Sequence, residues 1–309
     1  MSINFFWLKV MIAIFTVICN MLVIAAIVKD PILKNSPTFR LLCVLFLCNI
    51  IDASCRLSFD YISELLGRQA YGQPGVVIIE VLSNGCWFCE LFLLNFVAAS
   101  HILGVYFTLK YRKATNIHAN ICALICIFWG FGSGGFILLV PGFGMKFNTV
   151  TYNFYEDLSL PFMQIHIRYN WGLQVVSIAA LLLTDVAILV RLVKRSSSPE
   201  NSSQNKTVIT AKQTNTAVEV STIQAPAPEH RRVRTRRHRM EVYIALNFIV
   251  LSACLICQTT IYNTVSGWDS DIARFLLAMA PAIRGSKCWV YCISGAYLRT
   301  AIKRLFVRR

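Results

Sequence analysis

Seven apolar runs constrain this chain more than any other feature, at approximately 5–28, 39–62, 76–109, 117–140, 169–193, 241–265 and 271–296. At about 1.5 Å of rise per residue, roughly 20 apolar residues cross a hydrocarbon layer about 30 Å thick as a helix. Lipid offers the backbone no hydrogen-bond partners, and a helix closes its bonds within one segment. The third run is longer than a bilayer needs and is expected to tilt or project. The first run is too long for a cleaved signal peptide and lacks both a basic leader and a small-residue cleavage site, so it is expected to remain as a span. The expected fold class is therefore an all-α membrane protein, a seven-transmembrane helix bundle forming one domain over 1–309.

Composition agrees. Of 309 residues, 56% are apolar and only 15% charged, too few polar groups for the surface of a soluble domain. A net charge of +15 would suggest a nucleic-acid partner in a soluble chain. Here the basic residues sit between and after the apolar runs, so they report topology and no nucleic acid is expected. Segments 29–40, 110–116 and 194–240 and the tail beyond 297, with helix-end residues included, hold 22 of the 30 Lys and Arg. The alternate loops hold Arg68, Lys146, Arg168 and Arg274. This asymmetry places the N-terminus outside and the C-terminus in the cytoplasm. Two formal glycosylation sequons, at Asn201 and Asn205, argue the other way, but the run RRVRTRRHR (231–239) in the same loop outweighs them.

Residues 196–230 are rich in Ser, Thr, Asn, Gln, Ala and Pro, which predicts a disordered third cytoplasmic loop. In the tail (297–309), Leu298, Ile302, Leu305 and Phe306 recur at helical spacing among Arg299, Lys303, Arg304, Arg308 and Arg309. That pattern predicts a short amphipathic helix lying on anionic inner-leaflet lipids.

The 12 cysteines fall within or at the rims of the apolar runs, where cysteine acts as a small hydrophobe. The pairs Cys86/Cys89 and Cys254/Cys257 have metal-like spacing, but no histidine lies nearby, so neither a metal nor a cofactor is expected. The five histidines form no HExxH pattern and G-x-S-x-G is absent, which argues against an enzyme. Gly130 and Gly134, four residues apart in the fourth run, allow a close helix approach, with packing inside the bundle as the default.

Several positions then carry a family resemblance: Asn20 in CNMLVIAAI, Asp52 at the end of LFLCNIID, Trp129 with Pro141 twelve residues on, and Tyr291 with YLR following. Together with the topology, they resemble the rhodopsin-like G-protein-coupled receptors over nearly the whole chain. The departures are informative. The third run ends in LKY (109–111), the seventh carries KCWVY where the family has Asn-Pro-x-x-Tyr, and the sixth has CLICQTT (254–260). No cysteine lies in 127–253, so the usual disulfide to the second outer loop has no partner. This degenerate set resembles the nematode serpentine chemoreceptor families. The resemblance implies a chemosensory receptor in the plasma membrane, with a sensory cilium as the finer alternative, and an extracellular small-molecule ligand and a heterotrimeric G protein as partners.

It also assigns roles. Lys287 takes the place of the family's seventh-helix Asn and is expected to pair with Asp52; snorkelling is the bland alternative. Arg284, Arg56 and Glu90 would form either a polar floor beneath a ligand pocket or an ion-pair cluster. Trp87, Trp171, Gln174, Gln258 and Tyr262 are the expected pocket wall. Lys110, beside Tyr111, would bridge to Glu241, or Glu241 is a solvated acid next to Arg239. Asp185 would pair with Arg191 or a neighbouring helix. A retinal lysine is disfavoured, because the opsin position here is Pro281. The alternative function is a membrane transporter or channel that uses the intramembrane charges as its pathway.

Overall fold

Prolines and polar caps mark where the helices begin. The computed structural model describes residues 3–107, 111, 115–148, 153–197, 249–261, 283, 285, 287–288 and 296–307. Helix α1 is Ile3–Lys29. The short α2 (Pro31–Lys34) is capped by Asp30, whose carboxylate accepts from the backbone N–H groups of Ile32 and Leu33. Helix α3 is Pro37–Cys55; it continues through a π-helical turn at Arg56–Asp60 into α4 (Tyr61–Leu66). Pro31, Pro37 and Pro74 lie at the starts of their helices, where a missing N–H removes no hydrogen bond. Gly67 ends α4 at φ +63°, a left-handed position that a side chain would strain.

Helix α5 (Gln73–Tyr106) has 34 residues, about 50 Å long. Helix α6 (Asn116–Gly130) runs on through a π turn at Phe131–Gly135 and a 3-10 turn at Phe136–Leu139. Strands β1 (Met145–Asn148) and β2 (Asn153–Glu156) pair antiparallel, with Met145 opposite Glu156 and Asn148 opposite Asn153. Helices α7 (Met163–Ser197), α8 (Ile249–Ile261) and α9 (Ala296–Val307) follow. Five helical stretches among the described residues are long and apolar enough to cross a membrane: Phe6–Lys29, Pro37–Leu66, Pro74–Gly104, Asn116–Leu139 and Met163–Arg191.

Helix α5 is the axis of the bundle and packs against α3, α6 and α7. Cys86, Phe88, Cys89, Leu91, Leu93, Leu94 and Val97 are all fully buried, the pattern of a helix surrounded on every side. The α6 glycines explain how one neighbour comes so near. A Cβ on Gly130 would lie 2.5 Å from the Cys89 backbone nitrogen, and one on Gly134 would lie 2.4 Å from the Phe88 ring. Gly130 and Gly134 thus serve packing inside the bundle.

The β-hairpin stands at one end of the bundle, called here the hairpin end. Lys146 bridges Asp157 at 3.0 Å, Phe143 packs on Phe162 at 5.6 Å, and Phe143 meets His166 edge-on at 6.2 Å. At the opposite end, α9 buries Leu298 and Ala301 against α1 and exposes Arg299, Lys303 and Phe306. Arg304 reaches the Asp30 carboxylate at 3.2 Å.

Candidate functional site

Charged residues collect on one face of the second span. Positions 52, 56, 60 and 64 are Asp, Arg, Asp and Glu, each one turn from the next. The Arg56 guanidinium sits between two carboxylates, 3.2 Å from Asp52 and 3.5 Å from Asp60. The Ser83 hydroxyl of α5 donates to Asp52 at 2.6 Å. One turn further towards the hairpin end, Glu64 accepts from Lys9 of α1, whose ammonium also lies 5.7 Å from the Tyr61 ring centre. Asp60, Glu64 and Lys9 were not singled out from sequence, although the four-residue spacing was there to find them. A small cavity lies against this face, lined by Ala13, Thr16, Asn49, Asp52, Ala53, Arg56 and Gly285. The Asn49 side-chain amide is buried with no protein partner. Asn20, on the neighbouring helix, is buried and donates to the Thr16 carbonyl at 2.7 Å.

The expected Asp52–Lys287 pair is corrected by the structure. Lys287 forms its ion pair with Glu90 of α5, both side chains fully buried. The physical reason is competition: Asp52 is already held by Arg56 from its own helix and by Ser83, while Glu90 faces the seventh span. A lone carboxylate or ammonium at this depth would be strongly destabilising, so each ion makes the other tolerable. Snorkelling of Lys287 is likewise excluded by its complete burial. Of the two readings open for Arg56, Glu90 and Arg284, Arg56 lies in an ion-pair cluster with Asp52 and Asp60 along one helix.

The expected wall residues divide. The Trp87 indole N–H donates to Asn170 Oδ1 at 3.2 Å, and the Gln174 side-chain amide donates to the same oxygen at 2.9 Å. About two turns along α5, the Asn95 amide donates to Ser177 at 2.8 Å. The α5–α7 seam is thus built from neutral amides and hydroxyls. Gln258 of α8 is buried with its amide oxygen unpartnered. Trp171 is a correction: it is 52% exposed, on the outward stripe of α7 that also carries Val175. It sits about 100° round the helix from Asn170, which turns it away from the seam. Asn170 and Asn95 were not singled out from sequence, and nothing in their spacing marked them.

Trp129 donates to the Tyr169 hydroxyl at 3.3 Å on the bundle's exterior. Tyr111 and Thr38 share a hydroxyl contact at 2.8 Å. Asp185 accepts from Ser252 of α8 at 2.8 Å, while Arg191 lies over the Tyr106 ring at 4.9 Å. Of the two partners open to Asp185, the neighbouring helix is the one it takes. Among the described residues no group of histidine, cysteine and carboxylate side chains could hold a metal ion. Lys110, Glu241, Tyr262, Arg284 and Tyr291 lie outside the described residues.

With this geometry in hand, the class of protein follows. The fold is similar to that in the crystal structure of squid rhodopsin, with a TM-score of 0.76 at 13% sequence identity, over 98% of this chain and 84% of that one. No curated protein matches the chain by sequence. Residues 10–224 match the family model of the serpentine type seven-transmembrane G-protein-coupled chemoreceptor Srx, and the chain belongs to that family. It is a chemosensory G-protein-coupled receptor and an integral membrane protein, with an extracellular ligand and a G protein as its partners.

Proposed function

We propose that a small molecule enters from the hairpin end, which faces outside the cell, and binds beside the neutral α5–α7 seam. The observation that carries this reading is the Trp87–Asn170–Gln174 cluster, where two donors converge on one side-chain oxygen. A ligand amide or hydroxyl can exchange with such bonds at little cost, because partners on both sides are neutral. A ligand favouring one arrangement of the seam shifts the receptor's equilibrium by its differential affinity for the two states.

The α9 end then faces the cytoplasm of the plasma membrane. There, the exposed Arg299 and Lys303 lie against anionic headgroups, and Phe306 dips into the acyl boundary. A heterotrimeric G protein would dock at this end. Catalysis forms no part of this function. Ions paired within the bundle, as Lys287 is with Glu90 and Arg56 with two aspartates, support a receptor over a conducting pathway.

The test is a screen of volatile and water-soluble small molecules on cells that express the full chain with sensors for each G-protein class. Ligand-dependent activation that Asn170→Ala weakens, at unchanged surface level, is the expected result. Solute flux in liposomes with no activation of any G protein would replace this reading with a transporter.

A further inference from the structure

Among the described residues, the buried carboxylates have donors, with one exception. Asp52 and Asp60 share Arg56, Glu90 takes Lys287, and Asp185 accepts from Ser252. Glu80 of α5 is just as buried, at 5% exposure, yet its Oε1 is enclosed with no hydrogen-bond partner. The nearest polar groups on its own helix are committed elsewhere: Ser83 donates to Asp52 at 2.6 Å, and Asn84 donates to the Gly134 carbonyl at 2.6 Å.

Helical geometry turns this carboxylate into the bundle. Ile78, about 160° round α5 from it, is 60% exposed on the outer side of the helix. Trp87 lies seven residues on, the spacing that returns a helix to the same face after two turns, or about 10 Å. That face carries the indole N–H that meets Asn170 across the seam. Helix α5 begins at Gln73, at the hairpin end, so Glu80 stands between the mouth of the bundle and the Trp87–Asn170–Gln174 cluster.

We propose that Glu80 receives the ammonium group of a protonated-amine ligand, whose body reaches down to the Trp87–Asn170–Gln174 cluster. This inference rests on the ligand site proposed above and names the chemical class that the site takes. A carboxylate held out of water needs a charge-assisted partner, and the bundle gives one to Asp52, Asp60 and Glu90 but not to Glu80. An alcohol or ester would leave its charge uncompensated, and an anion would add repulsion. An ammonium supplies both the opposite charge and an N–H donor. The cluster two turns deeper is uncharged, so the charged end of the ligand belongs at Glu80 and the uncharged end at the seam.

The test is thermal melting of the purified full chain in lipid nanodiscs, titrated with 2-phenylethylamine and octylamine and with their uncharged counterparts, 2-phenylethanol and octanol. At least one amine should raise the melting temperature at concentrations where its alcohol does not. Glu80→Gln keeps the shape and removes the charge, and should weaken that amine's apparent affinity about 10–100-fold. Glu80→Asp keeps the charge and should lose less. Without a probe, Glu80→Gln should melt no lower than the unsubstituted chain, because the carboxylate holds nothing in the ligand-free bundle. Three results each overturn the assignment: no response to either amine, an amine response unchanged in Glu80→Gln, or a ligand-free Glu80→Gln chain that melts lower. Failure here is separable from failure of the reading above. Activation by an alcohol, weakened by Asn170→Ala and untouched by Glu80→Gln, keeps that reading and removes the amine site. Amine binding that needs Glu80 but activates no G protein in cells keeps the site and removes the proposed coupling.

Discussion

The charged half of the bundle and the α5–α7 seam solve the same problem in opposite ways. Around α3, α4 and the seventh span, polarity is ionic and locked in place: Lys9 on Glu64, Arg56 between Asp52 and Asp60, Lys287 on Glu90. Along α5–α7 it is neutral, with amides and hydroxyls at 2.8 to 3.2 Å. Breaking a buried ion pair leaves a charge stranded in low dielectric, whereas breaking an amide contact leaves a group that a ligand or water can satisfy. The difference teaches where motion is affordable. Buried ion pairs, here the frame of the bundle, resist rearrangement more strongly than the neutral contacts of the seam do.

The sharpest way to break that comparison is at Lys287 and Glu90. Either Lys287→Met or Glu90→Gln alone should cost about 3–5 kcal/mol and abolish most surface expression, while the double substitution should recover much of it. Surface labelling and thermal melting in detergent report both effects; a double variant as poor as the singles would remove the pair from the frame. Gly130→Ala comes next. Its methyl would press on the Cys89 backbone, which cannot swing aside, so a loss of about 1–3 kcal/mol in melting experiments is expected.

The seam should respond differently. Asn170→Ala should cost about 1 kcal/mol of stability, leave surface expression intact, and shift the ligand dose-response curve. Equal damage to stability at Asn170 and Lys287 would erase the distinction between frame and seam. The smallest effect belongs to the hairpin. Ser159 first, and then Lys146, hold the Asp157 carboxyl below its ordinary range by hydrogen bonding to it. Its stabilising contribution is present above the unfolded-state value and disappears as pH falls through the lower folded value. Backbone exchange in 153–160 should therefore quicken only in strong acid, and Asp157→Asn should remove that dependence.

The helical class was legible because bilayer thickness imposes one length and one composition on every span. The amphipathic pattern at 298–306 was legible for the same kind of reason, a period that geometry demands. Charge pairing was only half legible. Sequence showed that Lys287 needs a carboxylate and pointed to Asp52, whereas the acid it meets is Glu90. The choice depends on how the helices are turned about their axes. Arg56 reached Asp52 first because four residues on one helix is a fixed distance, while a partner across the bundle is not. Trp171 failed for a related reason, since the neighbouring α7 positions 170 and 171 face different directions. Asn170 had no signal at all: an asparagine in an apolar run looks the same whether it braces a tryptophan or caps a kink.

The hairpin carries one more consequence. No cysteine lies anywhere in 127–253 to tether it; among the described residues Lys146–Asp157 closes its base, and Phe143 packs on Phe162 and meets His166 edge-on. A covalent tether would make correct assembly wait on an oxidising compartment. This chain's hairpin needs no such chemistry, and its seating is indifferent to reductant. Among the described residues, this end of the bundle is held by a clasp of rings and a salt link, which temperature or acid alone can take apart and restore.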